Sequence, residues 1–202
     1  MLSKKMLLTS LAVCLSASAF AHFQLIHTAS SNITDKNSVP FELIFTHPGE
    51  GTEGHSMDIG KDEKGSIQPM EAFFSVHKEQ KTDLKNKLTS SKFGPKDHQV
   101  QSYKFTLDKT TGLKGGGDWG LVAVPAPYYE ASEDLYIQQV TKVFVNKDDI
   151  ATDWDARIAE GYPEIIPLNN PTDMWVGQVF RGKVVDPEGK AVANAEIEVE
   201  YI

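Results

Sequence analysis

The chain has a single cysteine, Cys14, and it falls within the stretch read below as a secretory signal. The remainder has no thiol, which excludes disulfides and thiolate metal sites and suits an oxidising compartment. A membrane-spanning run is missing too: after residue 21 nothing approaches the ~18–20 consecutive apolar residues that cross a bilayer. No direct membrane insertion is expected. Enzyme signatures are absent: there is no G-x-S-x-G, no H-E-x-x-H, no P-loop and no dinucleotide fingerprint. The carboxylates form no pattern that identifies an acid/base pair, so the chain reads as a non-enzyme. Positive charge is in deficit, with 20 Lys and Arg against 28 Asp and Glu and a formal net charge of −8. An acidic surface disfavours nucleic acid and anionic membranes, and it modestly concentrates cations nearby.

What is present begins at the N-terminus. Lys4 and Lys5, the largely apolar run 6–16 and small residues leading to Ala19-Phe20-Ala21 read as a signal peptide over residues 1–21 with an A-x-A cleavage site. A lipoprotein cut at Cys14 is the weaker alternative, since Leu11-Ala12-Val13 lacks the small residue usually found just before such a cysteine. Cleavage after Ala21 places the protein in the periplasm and leaves 181 of the 202 residues. Lys4 and Lys5 leave with the signal, so the net charge moves from −8 to −10. The mature chain then starts at His22, with a free α-amino group and an imidazole on one residue. These two nitrogens can close on one metal ion as a bidentate histidine brace, which no internal histidine can make. The competing reading is that His22 is merely the residue that follows the cut.

The mature sequence is dominated by period-2 patterning, punctuated by Gly, Pro, Asn and Asp. Strands are predicted at residues 23–26, 39–46, 72–77, 100–107, 119–124 and 135–145, the last being the longest β-like run. The only helix signal is short: Thr152 as cap, Trp154 and Ile158 on one face, Gly161 as stop. Many strands and almost no helix predict an all-β fold, an immunoglobulin-like β-sandwich over residues 22–161. Residues 162–202 read as a linker and a partial second β-domain. There, 176–185 and 193–202 are expected to form a hairpin around Asp186-Pro187-Glu188-Gly189. Ala195, Ile197, Val199 and Tyr201 alternate with Glu196, Glu198 and Glu200, so one face is expected to be buried.

There are six histidines, and His47 and His55 stand out after His22. His47 ends a predicted strand that Pro48 prevents from continuing. Gly49, Gly51 and Gly54 then allow the chain to fold back and bring His55 towards His47. One amine and three imidazoles make a set of borderline nitrogen ligands suited to Ni²⁺, Cu²⁺, Co²⁺ or Zn²⁺, the first two best. A polar glycine-rich surface loop is the alternative. Met57 reads as an axial ligand or as core, and Glu50 and Glu53 as partners orienting an imidazole or as solvated loop acids. His27 reads as a ligand or a surface residue, His77 as half-buried and structural, and His98 as exposed. Tyr128 and Tyr129, after Pro125-Ala126-Pro127, wall a pocket or pack a corner of the core.

The start His22-Phe23-Gln24, the block Phe45-Thr46-His47-Pro48 through Met57-Asp58-Ile59-Gly60-Lys61, and FFSVHKEQKTDL at 73–84 resemble the periplasmic nickel-uptake proteins. So do PAPYYEASEDLYIQQVTKVFVN at 125–146 and residues 162–201. That family is known as the nickel transport complex NikM subunit and is associated with energy-coupling-factor nickel and cobalt importers of the inner membrane. The resemblance implies a Ni²⁺-binding protein, with Co²⁺ as a second cargo, whose ligands are His22, His47 and His55 and whose partner is such an importer. It also implies that Tyr128 belongs to a Pro-x-Pro-aromatic corner. Ile59 stands where relatives often carry methionine, which removes a methionine pair as ligands. Relatives continue beyond the segment matching 196–202 and complete a small immunoglobulin- or transthyretin-like domain, so the second domain is expected to be truncated here. The alternative for the brace is copper, in a carrier or in an oxygenase of the lytic polysaccharide monooxygenase type, because Cu²⁺ outranks Ni²⁺ at most nitrogen sites.

Overall fold

The computed structural model describes residues 22–47 and 56–199. The predicted signal lies outside them, as do residues 48–55, with His55, Glu50 and Glu53, and residues 200–202.

Two four-stranded antiparallel sheets face each other. The first runs in the order β1 (Phe23–His27), β2 (Ser38–Thr46), β6 (Val100–Asp108), β5 (Thr89–Phe93). The second runs β10 (Thr141–Lys147), β7 (Gly117–Val124), β3 (Ala72–His77), β4 (Gln80–Asp83). Small two-stranded sheets pair β8 (Tyr128–Glu130) with β9 (Leu135–Ile137), and β11 (Glu164–Pro167) with β12 (Gly182–Val185). The fold is therefore the all-β sandwich that the period-2 patterning predicts. Among the described residues no helix is long and apolar enough to cross a membrane.

The core follows from the alternation. Val39, Phe41, Leu43 and Phe45 of β2 point inward, against Phe73, Leu121, Ala123 and Val145 of the second sheet. An edge-to-face contact between Phe73 and Phe105, centroids 4.9 Å apart, joins the two layers. Strand β7 is buried along its whole length. Its inner face meets the sandwich core, and its outer face is covered by Phe74, Phe144, Ile158 and Ala159, which pack with Val122 and Val124. That second cover explains why β7 reads as a continuous apolar run rather than an alternating one.

Three expectations are corrected. Residues 152–161 form turns and no helix. The backbone N–H groups of Ile158 and Ala159, which a helix would use internally, donate instead to the Glu164 carboxylate at 3.1 and 2.9 Å. Thr152 does not cap either: its N–H donates to the Asp118 carboxylate at 2.6 Å, and its hydroxyl accepts the Asp118 N–H at 2.9 Å. The predicted strand 135–145 is split into β9 and β10. Gln138 turns away at the break to bond the Pro125 carbonyl and Glu71. The C-terminal hairpin begins as expected, with the 186–189 turn closed by Gly189 N–H to Asp186 O and Asp186 N–H to Lys190 O. Val185 bridges Ala191, and then Asn194 adopts φ 56°, which ends the ladder. Strand β12 pairs with β11 instead, and Ile197 and Val199 stay exposed.

Gly60 shows where the fold depends on a glycine. It has φ +73°, and a Cβ there would stand 2.9 Å from the Gln68 carbonyl oxygen. Gly60→Ala is expected to destabilise the protein by about 1–3 kcal/mol, read as a lowered urea midpoint at unchanged slope.

Candidate metal centre

Strands β1 and β2 are antiparallel with Phe23 opposite Thr46. The register therefore sets His22 and His47 across from each other, at one end of the first sheet. Their ring centroids lie 4.2 Å apart at an interplanar angle of 50°. His47 is 7% exposed and His22 is half-buried. The Phe45 ring is 5.4 Å from His22 and meets Tyr128 edge-on at 4.8 Å, so an aromatic wall stands behind the pair.

The segment after His47 returns to the place it left. Thr46 and Ser56 form an antiparallel bridge, the Ser56 hydroxyl donates to Thr46 Oγ1 at 3.0 Å, and Met57 N–H donates to the Phe45 carbonyl at 2.9 Å. Both ends of the glycine-rich loop are thus held at the sheet end that carries the two imidazoles. His55 lies outside the described residues. Among the described residues no group of three or more His, Cys, Asp or Glu side chains gathers. The pair His22 and His47 is what the described structure brings together. An imidazole nitrogen binds a transition ion at about 2.0–2.1 Å. Rings with centroids 4.2 Å apart are close enough to share one ion.

The backbone around His22 is anchored from the start of β10 and from the connection that precedes it. Gln139 Nε2 donates to the His22 carbonyl, Gln24 N–H donates to Gln139 Oε1 at 3.0 Å, and the Thr141 hydroxyl donates to the Gln24 carbonyl at 2.8 Å.

The model of a family described as a domain of unknown function (DUF4198) matches residues 19–202. The chain belongs to that family. No curated protein and no solved structure matches it. In this DUF4198 chain the match includes the positions of His22, His47 and His55.

The other singled-out residues of the DUF4198 chain fall elsewhere. His27 is exposed at the far end of β1, opposite Glu42 and roughly 16 Å of extended strand from His22. His77 stacks on Trp119 at 3.7 Å with rings 3° from parallel, and its Nδ1 donates to the Asp118 carbonyl at 2.8 Å, a structural role. His98 is exposed in its loop. Met57 packs against the core, and Ile59 is part of it. Tyr128 is buried, and Tyr129 lies beside the half-exposed Tyr136 on the β8–β9 hairpin.

Two residues near the pair went unnoticed in the sequence. Glu130 has its carboxyl held below the usual range by hydrogen bonds from the Ser132 side chain and backbone; burial opposes this and the positive charge of His22 adds to it. Its neighbour Tyr128 has a phenol pushed up to about 12, by burial first and then by the charges of Glu130 and Glu133. Tyr128 is therefore neutral at physiological pH and offers a hydroxyl rather than a phenolate. Gln139 is the other. No motif flags a glutamine in a β-like run, and only the packing of two sheets brings it to His22.

Proposed function

We propose that the mature protein captures Ni²⁺, with Co²⁺ as a second cargo, in the periplasm and delivers it to an inner-membrane importer without catalysing a reaction. The observation that carries this reading is the His22–His47 pair, 4.2 Å apart at the end of the sheet, with His22 at the predicted start of the mature chain. Four nitrogens would hold the ion: the amine and ring of His22, and the rings of His47 and His55. His55 immediately precedes in sequence Ser56, the residue bridged to Thr46. The family resemblance supports the same three histidines and the importer as partner. Glu130 adds negative charge near a site that takes a cation.

Protons compete with the metal for each of these donors. Free α-amines bind protons with pKa ~7.7–8.0 and free imidazoles ~6.5, so affinity is expected to fall by more than about 1,000-fold from pH 8 to pH 5. Calorimetric Ni²⁺ titration of the chain beginning at His22 tests this. One-to-one binding at pH 8 that vanishes at pH 5 is the expected result; affinity that stays flat rules out the amine. His47→Ala is expected to cost more than the ~10–100-fold typical of losing a hydrogen-bond partner of a ligand.

A further inference from the structure

Strand β1 is an edge. Among the described residues it pairs with β2 on one side and with no strand of its own sheet on the other. A chain starting on such an edge would fray within its first residues, and a frayed His22 would have to be ordered each time a metal bound. The connection leading into β10 supplies what a neighbouring strand would. The Gln139 carboxamide accepts from Gln24 N–H at 3.0 Å and donates to the His22 carbonyl, the donor and acceptor pair that a neighbouring peptide group presents. Backbone N–H only donates and C=O only accepts, so the orientation of the amide is determined by its partners. The Thr141 hydroxyl extends the row by donating to the Gln24 carbonyl at 2.8 Å.

Gln139 is itself held. The preceding Gln138 is tied to the Pro125 carbonyl at 2.8 Å and to Glu71 at 2.9 Å. The clamp is therefore mounted on the structured connection between β9 and β10.

We infer that Gln139 is a positioning residue for the metal chelate at His22: by pinning the His22 carbonyl and the Gln24 amide, it orders the first residue of the mature chain before metal arrives. This rests on the reading of His22 as a ligand. Pinning the carbonyl removes rotation about the His22 Cα–C bond and leaves its amine and imidazole projecting from a stationary Cα. The ordering of one backbone residue then no longer has to be met at binding. Gln139→Ala is expected to weaken Ni²⁺ binding about 5–30-fold, the equivalent of ordering one residue.

The test compares wild type with Gln139→Ala and Gln139→Glu, each beginning at His22 and each with one extra glycine in front. Ni²⁺ affinity is read by calorimetry, and exchange of the Gln24 amide hydrogen in metal-free protein by NMR. Gln139→Glu retains an acceptor for Gln24 N–H but loses the donor to His22, so it is expected to leave Gln24 protected; its added charge attracts cations, so it is read by exchange and not by Ni²⁺ affinity. Gln139→Ala is expected to do both: weaker binding and Gln24 exchange at least about tenfold faster. In the glycine-extended background the Gln139 effect on Ni²⁺ is expected to vanish, which a general loss of structure would not produce. Tight wild-type binding that Gln139→Ala leaves unchanged overturns this inference alone. Wild-type binding equal to that of the extended chain, or no binding in either, overturns the reading of His22 as a ligand and the inference with it.

Discussion

A single glycine placed before His22 is expected to lower the Ni²⁺ affinity of the mature protein by more than about 100-fold. The extension converts the α-amine of His22 into an amide, whose nitrogen has no free lone pair for a metal while it keeps its proton, and so breaks the two-nitrogen chelate of His22. The magnitude comes from dividing a typical four-ligand binding energy. The about 10–16 kcal/mol of structural zinc sites shared over four donors is roughly 2.5–4 kcal/mol each, on the order of 100-fold at 1.4 kcal/mol per factor of ten. Calorimetry on the two matched chains checks it. Equal affinities would mean that His22 is incidental and that His47 and His55 carry the site. An absence of binding in both would leave an exported β-sandwich with no metal role. His47 remains the internal control, since its ring faces His22 at 4.2 Å and is unaffected by the extension.

The second large effect concerns stability. Glu164 opens β11, and its side chain is 1% exposed. Its carboxylate accepts from Lys142 Nζ of β10 and from the backbone N–H groups of Ile158 and Ala159. Three elements meet at one carboxylate: the sandwich, the turn segment across β7 and the β11–β12 hairpin. Burial holds the Lys142 amine below its ordinary range, a drop that Glu164 partly offsets by bonding to it. Glu164→Ala strands a nearly buried ammonium and two buried amides. Breaking such a pair costs about 3–5 kcal/mol, or roughly 6–20 °C of melting temperature for a chain of this size. Glu164→Gln, which keeps one acceptor oxygen, is expected to fall between the two. A thermal melt of Glu164→Ala within about 2 °C of wild type would show that the hairpin is fastened by its apolar contacts alone.

Much of this architecture is legible in local patterns. Strands β1 and β6 have the alternation expected of them, β2 has it over residues 38–43, β3 lies where it is predicted although its buried residues are consecutive, and β7 has the unbroken apolar run of a strand covered on both faces. Strands β4 and β5 escaped notice because QKTD and TSSKF hold almost no apolar residues. They lie at sheet edges, where neighbouring backbone, not burial of their own side chains, makes them strands. The absent helix at 152–161 has the opposite origin. A good local signal lost to Asp118 and Glu164, two buried carboxylates that took the N–H groups on which a helix would have depended.

The candidate site divides along the same line. His22 and His47 are recognisable from the sequence because a cleavage site and a strand end are local features. The sequence by itself determined the all-β character, the donor types and the lack of any cysteine after Cys14, each of which is a matter of composition, period or a short motif. Only the tertiary structure decided that the two imidazoles lie together, that Phe45 and Tyr128 stand behind His22, and that Gln139 completes the edge of β1. Those contacts join residues up to 117 positions apart across two sheets. Their existence depends on strand order and register, which long-range packing sets and no local pattern encodes.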